Sequence, residues 1–93
     1  MTDREVGVRV PGEDIERWLL ERVSYYLEMP VGEIDPEVSL AEYGLESVYA
    51  FALCGDIEDK LGVTVEPALV WDVDTVAALT VHLAGLAAEL PPA

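Results

Sequence analysis

The residues best suited to chemistry are Gly44-Leu45-Glu46-Ser47-Val48, which set one serine at the start of an amphipathic helix, directly behind an acidic loop punctuated by glycine. From Val48 to Leu61 the apolar positions Ala50, Leu53, Cys54, Ile57 and Leu61 recur at helical spacing, so one stripe is expected to face a core. Ser47 then falls at the N-cap, where a serine accepts a hydrogen bond from the unpaired amides of the first turn. The same amides, with the positive end of the helix dipole, favour an anionic group esterified to the serine oxygen. Ser47 is therefore either a plain cap or the site of a phosphate-linked modification.

Other chemistry is poorly supported. His82 is the only histidine, so any Ser-His-acid triad would have to use it, and the chain has no nucleophile-elbow or oxyanion-glycine motif. Cys54 is the only cysteine, lies on the apolar stripe and reads as core filling; it forbids an internal disulfide. No cluster has metal-ligand spacing, and Asp72 and Asp74 lack the calcium-loop pattern. No catalytic residue and no metal ligand is expected.

The stretch Leu40 to Gly62, LAEYGLESVYAFALCGDIEDKLG, resembles the central motif of acyl carrier proteins, in which Gly-(Leu or Ala)-Asp-Ser-Leu precedes a helix ending in acidic residues and glycine. Glu46 stands where aspartate is usual and Val48 where leucine is usual; both keep the chemical type. Ile34-Asp35-Pro36 through Ser39-Leu40 resembles the family's long first loop, and Trp71-Asp72 through Leu83 its final loop and helix, so the likeness covers about Ile15 to Leu86. The resemblance implies that Ser47 receives 4′-phosphopantetheine from coenzyme A and that the chain is a non-catalytic carrier holding acyl intermediates as thioesters. Tyr43-Gly44-Leu45-Glu46-Ser47 and Trp71 to Leu79 look more like a polyketide-synthase carrier than a peptide-synthetase one. An aminoacyl or peptidyl carrier and a fatty-acid carrier are the alternatives within the class. From another class, an acidic helical adaptor without a prosthetic group is the alternative. The partners implied are a phosphopantetheinyl transferase, an acyltransferase or acyl-activating ligase, and a ketosynthase or other polyketide-synthase enzymes.

The elements that must position Ser47 follow from periodicity and punctuation. Residues 1–12 read as a mobile leader, 13–90 as the carrier domain and 91–93 as a tail. From Glu13 to about Leu27, Ile15, Trp18, Leu19, Val23 and Tyr26 form a stripe at helical spacing. Glu28 to Glu46 carries Pro30, Gly32, Pro36 and Gly44 and no long period, so it is expected to be a loop anchored by Ile34, Leu40 and Leu45. Within it Ser39-Leu40-Ala41-Glu42 fits a capping box. Gly62 suits a left-handed helix end, Val63-Thr64-Val65 an extended connector, and Pro67 the start of a short helix to Trp71. Asp74 is expected to cap a final helix from Thr75 to about Glu89, with Val76, Leu79, Leu83, Leu86 and Leu90 on its stripe. The fold class is all-α, a small bundle of three to four helices with a long loop between helices one and two.

Turning the apolar stripe of helix two inward leaves Val48, Ala52, Gly55, Asp56 and Asp59 outward, with Phe51 and Glu58 at the boundary. Together with Glu46 these eight residues form the expected partner-docking face, on which acids meet basic groups and Val48 and Phe51 enter apolar recesses. The 93 residues carry 19 acidic and 5 basic side chains, a net charge of −14, which repels nucleic acid and anionic membranes and disfavours self-association. A monomer in the cytoplasm is expected, since the N-terminus lacks a signal-peptide core and no apolar run reaches the ~18 residues of a membrane span. The initial methionine and short flanks suggest a free-standing protein, and an excised domain would look much the same.

Overall fold

The computed structural model describes residues 12–89; the expected leader lies outside them except for Gly12, as do Leu90 and the tail. Helix α1 spans Gly12–Leu27, α2 Ser47–Leu61, α3 Ala68–Asp72 and α4 Val76–Ala88, with a single 3₁₀ turn at Val31–Glu33. No strand occurs among the described residues. Each long helix buries the stripe its spacing predicts: Ile15, Leu19 and Val23 from α1, Ala50, Leu53, Cys54, Ile57 and Leu61 from α2, and Val76, Leu79 and Leu83 from α4. Trp18, Tyr26 and Leu86 pack half-buried at the margin. Helix α1 packs most extensively on α4.

The 28–46 loop matters most for function because it delivers the chain to α2. Its three anchors are buried as expected: Ile34 at 4% exposure, Leu40 at 0% and Leu45 at 5%. Backbone bonds tie the loop to the start of α4 and to the residue before its cap, Ala77 N–H to the Pro36 carbonyl (2.9 Å) and Leu40 N–H to the Asp74 carbonyl (2.7 Å). The Tyr43 hydroxyl accepts from the Asp35 amide at 2.7 Å, and Asp35 Oδ1 accepts from the Glu37 amide at 2.8 Å. These contacts give the loop's backbone polar groups partners that neither a helix nor a sheet supplies.

Two expected caps are corrected. Ser39 does not form the reciprocal box with Glu42: its hydroxyl donates to Asp74 Oδ2 and accepts from the Ala41 amide, while the Glu42 amide bonds the Ser39 carbonyl. Asp74 does not cap α4. Thr75 is the N-cap, with Oγ1 accepting from the Ala78 amide at 3.1 Å. The physical reason is shared: the Asp74 carboxylate is taken by the loop serine, leaving Thr75 to satisfy the helix end. Gly62 ends α2 as expected, at φ 71° with its amide on the Glu58 carbonyl. Pro67, expected as the first helical residue, is instead the N-cap of α3, so that helix is shifted by one residue, from Ala68 to Asp72.

Glu28 follows α1 at φ 56°, a conformation that favours glycine because a Cβ is crowded there. Glu28→Gly is expected to stabilise the fold by up to about 1 kcal/mol, the relieved strain being partly offset by the greater freedom of the unfolded glycine. Thermal unfolding of the variant beside the parent checks it.

Candidate functional site

Ser47 is exposed at the first helical position of α2. The N-cap is Glu46, extended at φ −87°, ψ 156°, and its side chain makes no capping bond; the expectation that Ser47 itself is the cap is corrected by one residue. Gly44 turns the chain at φ 86° and the buried Leu45 then pins it, its amide on the Leu40 carbonyl at 3.3 Å. Glu46 is thereby set in extended backbone and α2 starts at the serine. The Tyr49 and Ala50 amides both bond the Glu46 carbonyl, at 2.9 and 3.0 Å, whereas the two amides before them fall where a helix provides no internal partner. A phosphate on the Ser47 oxygen would sit beside these amides at the positive end of a 15-residue helix. With an exposed oxygen and an open helix end, the residues present fit a phosphodiester-linked group.

The other serines do not offer this. Ser24 Oγ, half-buried, donates to the Met29 carbonyl at 2.6 Å, and Ser39 is tied to Asp74. His82 is exposed on α4 and borders a shallow groove with Glu66, Leu69 and Asp72, to which Ser47 does not contribute. Cys54 is buried, its thiol donating to the Glu66 carbonyl at 3.7 Å, and burial, followed by the charge of Glu58, pushes its pKa above the ordinary thiol value. That environment opposes thiolate formation. Among the described residues no group of His, Cys, Asp and Glu is arranged to hold a metal ion.

The expected docking face divides into two flanks. Val48 and Phe51 are each 63% exposed, and Glu46, Ala52, Gly55 and Asp59 are exposed as well. Phe51 is thus no boundary residue. It lies one turn after Ser47, on the same side of the helix, and projects into solvent. The remaining two acids are turned to internal tasks. Glu58 is half-buried, its carboxylate accepting from the Val65 amide at 3.1 Å and fixing the connector after α2. Asp56 faces α1, where one carboxylate oxygen accepts from Arg22 Nε at 3.1 Å and from the Tyr26 hydroxyl at 2.5 Å. The Tyr26 phenol is held above its usual pKa, first by burial and then by that bond to Asp56. Sequence reading misses Arg22 and Tyr26 as partners of this face. Their i, i+4 spacing on α1 is the only trace of the arrangement in the sequence.

The chain has relatives among known proteins. Residues 17–83 match the family described as "Phosphopantetheine attachment site". The chain is 36% identical over 76 residues to a phenolphthiocerol/phthiocerol polyketide synthase subunit of Mycobacterium tuberculosis; the match covers 81% of this chain and 4% of that protein's length. Among solved structures it is similar to a free-standing peptidyl carrier protein of Acinetobacter baumannii, with TM-score 0.77 and 30% identity over 80% of this chain and 92% of the other. The HMG-ACPI domain of the CurA module of Lyngbya majuscula, at TM-score 0.78 and 19% identity, shares the fold over 96% of this chain and 89% of the other.

Proposed function

Since this chain belongs to the phosphopantetheine-attachment family of carrier domains, we propose that Ser47 is its attachment serine and that it carries polyketide intermediates between synthase enzymes in the cytoplasm. The observation that carries the assignment is the exposed Ser47 at the first turn of α2, behind a loop pinned by Leu40 and Leu45. The covalently held 4′-phosphopantetheine supplies a flexible arm whose terminal thiol binds acyl groups as thioesters. The chain's own residues do the rest. The first-turn amides offer the phosphate hydrogen-bond donors, the Leu40 and Leu45 anchors fix the origin of the arm, and the exposed Val48–Phe51 flank meets the partner. A tethered intermediate reaches successive active sites at high effective concentration, so the carrier needs no catalytic group of its own.

The likeness to a polyketide synthase supports the polyketide pathway, with a phosphopantetheinyl transferase, a loading acyltransferase or ligase, and a ketosynthase as partners. The structural likeness to a peptidyl carrier supports a second reading, an aminoacyl carrier. Intact mass after incubation with a phosphopantetheinyl transferase and coenzyme A tests the carrier reading, with a gain of one phosphopantetheinyl group expected. An unchanged mass would favour the adaptor reading. Loading of the modified protein by an acyltransferase with malonyl-coenzyme A, but not by an amino-acid-activating adenylating enzyme, is expected for the polyketide reading.

A further inference from the structure

We propose that Arg22 tunes recognition by a basic partner: it neutralises Asp56 and so withdraws the α1-facing flank of α2 from the electrostatic attraction, leaving the exposed acids elsewhere on the chain to draw that partner. The inference rests on the carrier reading and says which flank of α2 the partner's charges bypass.

Three observations support it. Arg22 reaches Asp56 through Nε at 3.1 Å while its second nitrogen approaches the Tyr26 hydroxyl at 3.4 Å, and its guanidinium lies over the Tyr25 and Tyr26 rings, 4.9 and 5.3 Å from their centroids. The cation is therefore held from several sides, although the Arg22 and Asp56 side chains remain 33% and 30% exposed, within reach of a partner's field. Lys60 and Asp59 border the same shallow groove, which Trp18 also lines, so two cations and two carboxylates meet there and the patch is close to neutral. Elsewhere the balance is one-sided. Between Val23 and Asp59 the sequence has no lysine or arginine, and Glu28, Glu33, Asp35, Glu37, Glu42 and Glu46 are all exposed. Helix geometry separates the two regions, because Asp56 follows Ser47 by about two and a half turns and so points to the opposite flank. A basic rim drawn to this chain meets uncompensated charge at Glu46, next to Ser47, and along the 28–42 loop, and little net charge at the groove of Arg22, Asp56, Asp59 and Lys60.

The test is the kinetics of phosphopantetheinyl transfer from coenzyme A across a salt series, using the full chain and four variants: Arg22→Gln, Asp56→Asn, the two combined, and Arg22→Lys. A partly exposed pair contributes little to stability, and circular dichroism and melting temperature confirm that each variant is folded. At low salt Arg22→Gln is expected to raise kcat/KM and Asp56→Asn to lower it, each by about two- to fivefold, since one unmasks a carboxylate and the other a guanidinium. The combined variant and Arg22→Lys, which keep the local charge, are expected to match the parent, and every difference should fade with salt. A combined variant as slow as Asp56→Asn would mean that the partner contacts the carboxylate itself, and would overturn the proposal. So would single variants indistinguishable from the parent at low salt. The parent's own mass gain checks the carrier reading separately, so a failed mask and a failed carrier give different results.

Discussion

Ser47→Ala is expected to take up no phosphopantetheinyl group when the parent is modified to completion, because no other serine combines exposure with a helix start. Ser24 and Ser39 are half-buried and spend their hydroxyls on Met29 and Asp74. The same substitution should leave the fold nearly untouched. Had Ser47 been the N-cap its loss would have cost about 0.5–2 kcal/mol, but the cap position belongs to Glu46, and an exposed first-turn serine is worth within about 0.5 kcal/mol. Intact mass and thermal melting on one sample distinguish the two effects. A modified alanine variant would overturn the assignment, and an unmodified but unfolded one would show that the serine supports the loop as well. Ser39→Ala makes the complementary comparison. It should be modified like the parent at Ser47, while losing stability because the half-buried Asp74 carboxylate, whose buried Oδ1 already lacks a partner, would lose its donor.

What can be read from the sequence, and what cannot, divides along a physical line. The stripes of α1, α2 and α4 are legible because a 3.6-residue period is a property of each segment alone, and the loop anchors because isolated apolar residues among prolines and glycines have nowhere else to go. The caps of α2 and α4 each fall one residue away from the expected position. Serine, threonine and aspartate all favour an N-cap, so Ser47 reads as one although the extended Glu46 takes the position without a capping bond, and the choice between Asp74 and Thr75 is settled by Ser39, which lies 35 residues from Asp74. The internal partners of Asp56 and Glu58 are illegible for the same reason. A helical wheel sorts residues into inward and outward, but it cannot say that Arg22 waits on α1 for Asp56 or that the Val65 amide needs the Glu58 carboxylate. Phe51 departs in the other direction: an aromatic beside an apolar stripe reads as a margin residue, yet it stands 63% exposed.

Those corrections decide which substitutions report on docking. Val48→Asp and Phe51→Asp are each expected to lower kcat/KM for phosphopantetheinyl transfer by about tenfold or more, since a carboxylate forced into an apolar recess is desolvated without a partner. The loss should persist at high salt, unlike the defects of the Arg22–Asp56 series, because it arises from burial rather than from long-range attraction. Folding should be unaffected, as both side chains are 63% exposed and surface changes of this kind stay within about 0.5 kcal/mol. Glu58→Lys is the instructive contrast. It lies on the same helix and would also slow transfer, but by removing the acceptor of the Val65 amide, so it should lower the melting temperature and cost about 1–3 kcal/mol. Measuring salt dependence and melting together therefore separates three causes of one phenotype: a lost apolar contact, a shifted local charge and a loosened connector. Phe51→Asp with parental transfer kinetics would place the partner on another face of the bundle, even with Ser47 fully modified.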